Sequence, residues 1–189
     1  MGAHVVLLGP STAGKTSLMV GLSHTEGEYD FTIDRTWTTR AKRPDDGNEE
    51  NVFVDSTEFD KKRSEFLFTF QTFPTYEYGI EKPASLTEKE ARLRILMPVF
   101  ADKFRQMVSI EPVILCSISP FHSDPESVFR ARDPDIDPED LQARIQRFHQ
   151  DNIEANELAD IQFQNREGLQ SAVNELHSNI TGYLQEKGF

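Results

Sequence analysis

The sequence contains few cysteines and no long apolar run. Cys116 is the only cysteine among 189 residues, so a disulfide within the chain is excluded. It lies in an apolar run at residues 113–118, which predicts a core position for its thiol. No apolar run approaches the roughly 20 residues of a transmembrane helix, and the N-terminus lacks the basic region of a signal peptide. We therefore expect no membrane partner and a cytoplasmic location.

Positive charge is also scarce. The chain has 20 lysines and arginines against 32 aspartates and glutamates, which gives a formal net charge of −12. Nucleic-acid-binding proteins usually present a basic face, so we expect no nucleic-acid partner. Glycine and proline occur 10 times each and 37% of the residues are hydrophobic, which favours one compact domain over residues 1–189. The composition leaves a homodimer open.

The first motif is GPSTAGKT, residues 9–16, which directly follows an apolar run at residues 5–8. Its spacing is that of a phosphate-binding loop, in which glycines let backbone N–H groups surround an anion. Residues 15–22 are predicted to form a helix whose positive N-terminal end faces the phosphates. Lys15 would contact the outer phosphates of ATP, and the Thr16 hydroxyl would bind Mg²⁺. The predicted nucleotide-binding residues here are Gly9, Ser11, Thr12, Ala13, Gly14, Lys15, Thr16 and Ser17.

Strands and helices alternate along the rest of the chain. This alternation after a phosphate-binding loop predicts an α/β fold of the P-loop NTPase type. We expect a mainly parallel, doubly wound sheet with helices on both faces, a small antiparallel β region and a helical lid. The predicted strands are residues 3–8, 29–33, 51–55, 66–72, 76–80, 92–99, 112–119 and 159–164.

Several boundaries are predicted from local signals. Ser56 is expected to cap a helix that runs to residue 63, and Ser85 to open a short helix. Residues 36–46, bounded by Pro44, are interpreted as an extended loop, and a turn is expected at residues 73–75. Thr12 fits the phosphate-binding loop if its φ angle is negative. Further helices are predicted at residues 101–108, 123–129 and 138–157, and a last one after Asn165 as its cap.

The chain lacks the D-x-x-G and N-K-x-D motifs of GTPases and has the size of a small metabolite kinase. Residues 38–44 read TTRAKRP, and they are followed by FVDSTEF at 53–59 and EYGI at 77–80. Together with the phosphate-binding loop, these motifs resemble the guanylate kinase family from about residue 3 to residue 80, in order and in spacing. The resemblance implies a kinase that uses ATP and Mg²⁺ and acts on a small phosphorylated acceptor.

The resemblance also implies an acceptor-binding region at about residues 34–82. Arg40 and Arg43 match the pair that holds the acceptor's phosphate, and bidentate guanidinium groups suit a phosphate dianion. Tyr78 matches a tyrosine whose hydroxyl contacts the same phosphate. Thr36 matches a serine that contacts guanine.

A lid is implied at about residues 130–150. Arg132 and Arg144 match lid arginines that close over the nucleotide and neutralise charge in the transition state. Arg130 and Arg147 are alternatives for these roles, because the loop at residues 133–138 blurs the alignment. Asn165 matches a position near the adenine and is equally explained as a helix cap.

The sequence departs from the family where guanine is read and where the metal is held. Phe68 stands in place of the guanine-reading glutamate, and Ile80 stands in place of a serine or threonine. Residues 95–99 lack the carboxylate that supports the metal in the family. We therefore expect the acceptor phosphate site to persist and guanine selection to be lost. Phe68 either lines the acceptor pocket or joins the core.

Two alternatives remain. The ribose 1,5-bisphosphate phosphokinases share this fold and lack the guanine-reading glutamate, and their E-N pair resembles Glu50 and Asn51. That resemblance makes a phosphorylated sugar the second candidate acceptor. Guanylate kinase-like domains also exist as non-catalytic binding modules, although the phosphate-binding loop here is intact.

Overall fold

The computed structural model describes residues 1–43, 46, 47, 49–73, 76–108, 110–122 and 124–189. Five of the described strands form an entirely parallel sheet in the order β2-β7-β1-β8-β9. The first strand lies at the centre of this sheet, as expected for a strand that leads into a phosphate-binding loop. The strands are β1 (Ala3–Leu8), β2 (Asp30–Ile33), β7 (Glu90–Ile95), β8 (Val113–Ser119) and β9 (Ile161–Gln164).

Helices cover both faces of this sheet. Alternate residues of β1 point to opposite faces, so Val5 and Leu7 pack with α1 (Lys15–Ser23) and α6 (Leu169–Lys187). Val6 and Leu8 pack on the other face with α3 (Ala101–Met107). The predicted doubly wound parallel fold is confirmed. Cys116 is fully buried in the first of these clusters, as predicted, and burial raises the pKa of its thiol to about 12.

Four further described strands form a second sheet in the order β4-β3-β6-β5. Two of its three pairings are antiparallel, and the pairing of β3 with β4 is parallel. Phe68 and Ile80 of this sheet pack against Val6, Leu8 and Leu96, so that one apolar cluster joins the two sheets. The strands are β3 (Thr36–Thr38), β4 (Asn51–Phe53), β5 (Phe66–Phe73) and β6 (Tyr76–Glu81), and α2 (Ser56–Lys62) lies between β4 and β5.

A helical pair forms the region predicted as the lid. It consists of α4 (Pro125–Arg132) and α5 (Pro138–Leu158). These helices enclose a small apolar cluster of their own, formed by Phe129, Ile136, Leu141 and Phe148. At its far end α5 joins the main core through Ala155, so one continuous helix connects the lid to the sheet.

Some local predictions were wrong. Residues 36–38 are not loop but strand β3, because they pair with β6 and β4. The helix cap before α2 is Asp55, whose carboxylate accepts from the backbone N–H of Glu58, and Ser56 is the first helical residue. Residues 82–87 carry no helix at Ser85. The N-cap of α6 is Gly168 rather than Asn165.

Three further predictions concern residues outside those that the structure describes. They are the loop boundary at Pro44, the turn through Pro74 and Thr75, and the helix start at Ser123. Within the described part of the chain, none of the helices combines the length and apolar character needed to cross a lipid bilayer.

Candidate active site

The phosphate-binding loop connects the central strand β1 to helix α1. Gly9 opens the loop with a φ of +133°, and a Cβ at this position would lie 2.4 Å from the backbone oxygen of Ile118. Gly14 ends the loop as the N-cap of α1 with a φ of +85°. Both positions therefore require glycine. The first turn of α1 contains no acidic residue, so the positive end of the helix is available to an anion.

Thr12 does not have the negative φ on which the sequence interpretation depended. Its φ is +72°, which is the left-handed region that β-branched residues rarely adopt. The phosphate-binding loop therefore holds a strained residue where the related motif has glycine. Of the other predicted loop residues, Ala13 is buried, while Ser11 and Ser17 are exposed.

Lys15 folds back onto the phosphate-binding loop. Its Nζ donates to the backbone oxygens of Gly9 at 2.8 Å and Pro10 at 2.6 Å. Burial lowers the pKa of Lys15 to about 8, although the nearby carboxylates of Asp151 and Glu50 act in the opposite direction. A phosphate that entered the loop would replace the two carbonyls as the partner of this ammonium group.

Thr16 contacts the second sheet. Its hydroxyl donates to the Glu50 carboxylate with an oxygen–oxygen distance of 2.5 Å. The backbone oxygen of Glu50 in turn accepts from the N–H of Thr36 at 2.9 Å. Thr16 is the predicted metal-binding residue, and a hydroxyl next to a carboxylate is an oxygen donor set that suits Mg²⁺. The predicted acceptor region therefore contacts the phosphate-binding loop at this point.

Asn165 follows β9 and supports the phosphate-binding loop. Its side-chain amide donates to the backbone oxygen of Ala13 at 2.8 Å, and its Nδ2 lies 2.5 Å from the place where a Cβ on Gly14 would be. Its side-chain oxygen accepts from the N–H of Arg166. The cap interpretation of Asn165 was therefore wrong, because the side chain is used by the loop and not by α6.

The lid arginines differ in their surroundings. Arg132, at the end of α4, is close enough to Lys15 to act on the pKa of that lysine. Arg144 is half-buried on α5, and no described interaction joins it to the phosphate-binding loop. Of the two alternatives, Arg130 pairs with Glu126 on its own helix. Arg147 forms an ion pair with Asp151 at 2.6 Å.

Asp151 is a buried carboxylate on α5 that lies near Lys15 of the phosphate-binding loop. Its exposed fraction is 6%. Burial raises its pKa, while Arg147 and Lys15 oppose that shift. Asp151 therefore belongs to the charge environment of Lys15, together with Glu50 and Arg132.

Arg40 and Asp46 form a bidentate ion pair in the predicted acceptor region. The Arg40 guanidinium donates to both carboxylate oxygens of Asp46, at 2.7 and 3.0 Å. Burial alone would raise the pKa of Asp46, but hydrogen bonds from Arg40 and from the backbone N–H of Arg43 lower it. Burial would lower the pKa of Arg40, but Asp46 and the nearby Tyr78 raise it. A bidentate guanidinium that already holds an anionic group has the geometry that binds a phosphate.

Arg43 and Tyr78 contribute differently to this pair. The side chain of Arg43 is exposed, and its described contact to Asp46 is made by the backbone N–H at 2.6 Å. Tyr78 is held by β6 and stacks on Phe70, with ring centroids 5.2 Å apart and an interplanar angle of 10°. The structure thus brings Arg40 and Tyr78 together, while the Arg43 side chain stays outside the pair.

The positions that would read guanine are buried and apolar. Phe68 is 7% exposed and Ile80 is fully buried. Phe68 packs with Phe70 and Phe100, and the ammonium of Lys103 lies 4.6 Å above its ring centroid. This burial supports the core interpretation of Phe68, and a role in the acceptor pocket stays a prediction. Thr36 is 8% exposed and pairs with Ile80 across the sheet.

Sequence reasoning missed three carboxylates of this site. Asp46 and Asp151 did not stand out among the 32 acidic residues of the chain, although Arg40 and Arg147 lie only six and four residues away from them. Glu50 had a signal in the E-N pair that it forms with Asn51. That pair pointed to a sugar acceptor and not to the contact with Thr16.

Three guanylate kinases are among the known proteins to which this chain is similar. A guanylate kinase of Trichormus variabilis is 29% identical over 169 residues, which is 87% of this chain and 82% of the relative. A guanylate kinase of Nostoc sp. is 28% identical over the same length and coverage. The crystal structure of guanylate kinase from Anaplasma phagocytophilum matches with a TM-score of 0.65 at 20% identity. The match covers 96% of this chain and 86% of the guanylate kinase chain. No protein-family model matches the chain.

These similarities confirm the resemblance that the motifs indicated. The chain is related in sequence to guanylate kinases, and it shares their P-loop fold. The relatives and the fold support a P-loop kinase as the broad class of this protein. The similarity to ribose 1,5-bisphosphate phosphokinases stays a prediction.

Proposed function

We propose that this protein is an ATP-dependent kinase that transfers the γ-phosphoryl group of Mg·ATP to a nucleoside monophosphate or a similar phosphorylated small molecule. The observation that carries the proposal is the meeting of two anion sites. The phosphate-binding loop lies on one sheet and the Arg40–Tyr78 site on the other, and the Thr16–Glu50 contact joins the two. Phosphoryl transfer needs this kind of positioning and charge neutralisation more than a protein nucleophile.

On the nucleotide side, the backbone N–H groups of residues 9–16 and the N-terminus of α1 bind the phosphates. Lys15 leaves the carbonyls of Gly9 and Pro10 and pairs with the outer phosphates. Asn165 holds the loop open by its bond to Ala13. Thr16 would supply a hydroxyl ligand for Mg²⁺, and the ion would supply neutralising charge at the phosphates.

On the acceptor side, Arg40 binds the acceptor's phosphate with the two N–H groups that now hold Asp46. Tyr78 adds its hydroxyl, and Arg43 joins when its exposed side chain turns inward. An acceptor that is already a phosphate monoester presents an anionic oxygen, so no general base is required. In the lid, Arg132 approaches from the side of Lys15, and Arg144 is the second candidate to neutralise charge as the lid closes.

The protein does not select its acceptor by recognising a guanine base. Phe68 and Ile80 offer no hydrogen-bond partner and are packed into the core between the sheets. Thr36 is the one polar side chain left among the three matched base-reading positions, and so reduced a set gives only weak discrimination between bases. A sugar phosphate is the second candidate, supported by the absence of a base-reading group beside an intact phosphate site.

The test is an acceptor screen in which ADP formation is followed for individual nucleoside monophosphates and phosphorylated sugars. Lys15→Ala serves as the blank. We expect one acceptor class to raise ADP formation well above the acceptor-free rate, with no preference for GMP among nucleotides. A strong, selective signal with GMP would contradict the loss of guanine selection. ATP binding without turnover on any acceptor would favour a non-catalytic binding module.

A further inference from the structure

The contact between Thr16 and Glu50 joins residues that are 34 positions apart in the chain. Thr16 lies in the first turn of α1, and Glu50 immediately precedes β4. The Glu50 carboxylate accepts from the Thr16 hydroxyl, and it is also one of the charges that act on Lys15. It is therefore part of the phosphate site, although it comes from the second sheet.

Glu50 is held in this position by its backbone. Its carbonyl oxygen accepts from the N–H of Thr36 at 2.9 Å, and the next residue, Asn51, pairs with Thr36 in the sheet. The residue is half-buried, whereas its neighbour Glu49 is exposed. The carboxylate thus approaches Thr16 from a fixed strand end and not from a free surface loop.

The site lacks the carboxylate that the resemblance leads one to expect. Strand β7 ends at Ile95 and is followed by Leu96, Met97, Pro98 and Val99, none of which can bind a metal as a carboxylate. Among the described residues, no group of three or more histidine, cysteine or acidic side chains is placed to hold a metal ion. Mg²⁺ at a nucleotide needs less, because one or two carboxylates suffice when phosphates and waters complete the octahedron.

We propose that Glu50 is the carboxylate that holds the nucleotide's Mg²⁺ together with Thr16, directly or through one water, in place of a carboxylate at the end of β7. The proposal rests on the proposed function only in requiring that the phosphate-binding loop binds ATP. The metal would then connect the second sheet to the phosphate-binding loop, because the backbone of Glu50 is hydrogen-bonded to Thr36. The same arrangement also explains why a carboxylate is tolerated beside a site for anions.

The test compares ATP affinity with and without Mg²⁺ in wild-type protein, Glu50→Gln and the matched control Glu49→Gln. Binding is measured by calorimetry, with EDTA in the metal-free series, and it requires no acceptor and no turnover. We expect Glu50→Gln to lose about 10- to 100-fold in affinity for Mg·ATP, the usual cost of a lost metal-supporting group. Its affinity for metal-free ATP should be equal to or higher than that of wild type, because a repelling charge is gone. Glu49→Gln should match wild type in both series.

Two results would overturn the proposal. In the first, Glu50→Gln keeps the full Mg²⁺ enhancement, so the carboxylate has no role toward the metal. In the second, Glu50→Gln binds Mg·ATP more tightly than wild type, so the carboxylate only competes with the phosphates for the loop. A failed acceptor screen would leave both readouts intact, which separates this proposal from the proposed function.

A second variant controls for misfolding. Glu50→Asp keeps the carboxylate on a shorter side chain, and it should recover part of the Mg²⁺ enhancement. Paramagnetic resonance of Mn²⁺ added to ATP-saturated protein supplies an independent readout, because it counts the bound metal. If Glu50→Gln binds as much Mn²⁺ as wild type while its unfolding midpoint is unchanged, a ligand role for the carboxylate is excluded.

Discussion

At the scale of single residues, the phosphate-binding loop combines motif residues with one that the motif does not explain. The spacing of Gly9, Gly14, Lys15 and Thr16 is local, so the sequence alone predicts their positions. The φ angle of Thr12 and the contact of Asn165 with Ala13 depend on neighbours more than a hundred residues away or on the exact course of the loop. Neither the φ angle of Thr12 nor the contact of Asn165 can therefore be predicted from the local sequence pattern.

Thr12 predicts a stabilising substitution. A left-handed residue with a side chain costs about 1–2 kcal/mol relative to the right-handed conformation. Glycine removes this strain, but part of the gain in stability is lost because glycine has greater freedom in the unfolded chain. We expect Thr12→Gly to raise the free energy of unfolding by up to about 1 kcal/mol in urea denaturation. Ser11→Gly, at a neighbouring position without a positive φ, should instead lower it slightly. Equal destabilisation by the two substitutions would show that Thr12 is not strained.

Lys15 predicts how nucleotide affinity changes with pH. The ammonium form binds phosphate, and burial lowers the pKa of Lys15 in the free protein to about 8. Bound phosphates stabilise the charged form and raise this pKa, so affinity is fully present below about pH 8 and decreases as the pH rises above it. We expect Kd for Mg·ATP, measured by calorimetry, to increase between pH 8 and pH 9.5. In Lys15→Arg, whose side chain stays charged, any remaining binding should be flat over that interval. A flat wild-type profile would contradict the lowered pKa.

At the scale of elements, the buried strands of the main sheet are predictable and the short polar ones are not. β1 and β8 each contain a run of four apolar residues, at 5–8 and 113–116, which is typical of strands buried on both faces. β3 has only three residues, two of them threonines, and its strand state comes from pairing with β6. The helix predicted at Ser85 is absent because its backbone is used elsewhere. The N–H of Leu86 donates to Glu111, and the carbonyl of Ala84 accepts from Arg92.

The position of Phe68 in the antiparallel pair of β5 and β6 predicts a stability cost for its removal. If Phe68 is a core residue, Phe68→Ala should lower the free energy of unfolding by about 3–5 kcal/mol, the usual range for a buried phenylalanine. Phe121→Ala is the matched control, because Phe121 is 43% exposed and should change stability by less than about 0.5 kcal/mol. Both values come from urea titrations. A small cost at Phe68 together with a raised KM for the acceptor would instead place this side chain in the acceptor pocket.

At the scale of the whole molecule, one apolar core is shared by the two sheets and the end of α5, while the lid helices add a small cluster of their own. The cluster around Val6, Phe68 and Ile80 spans both sheets, and α5 reaches it through Ala155. The sequence indicated a single domain over residues 1–189 from its length and composition. It could not indicate that the contact between the sheets would fall on Glu50 and Thr16, because two residues that are distant in the chain come together only in the fold.

This shared core predicts one cooperative unfolding transition. In calorimetry, the measured enthalpy should equal the van't Hoff enthalpy of a single transition. Mg·ATP at a hundredfold excess over Kd should stabilise the protein by about 2.7 kcal/mol, and Lys15→Ala should show a much smaller shift. Two separate transitions in wild-type protein would divide the chain into independent units and contradict the single domain.

The central proposal is that phosphoryl groups move from ATP to a phosphorylated acceptor. The direct measurement is incubation with ATP labelled at the γ-phosphorus and a mixed pool of nucleoside monophosphates and sugar phosphates, followed by separation of the labelled products. We expect label to appear on a member of the pool with wild-type protein and not with Lys15→Ala. Label that stays on ATP, or is released only as inorganic phosphate whatever the pool contains, would contradict it.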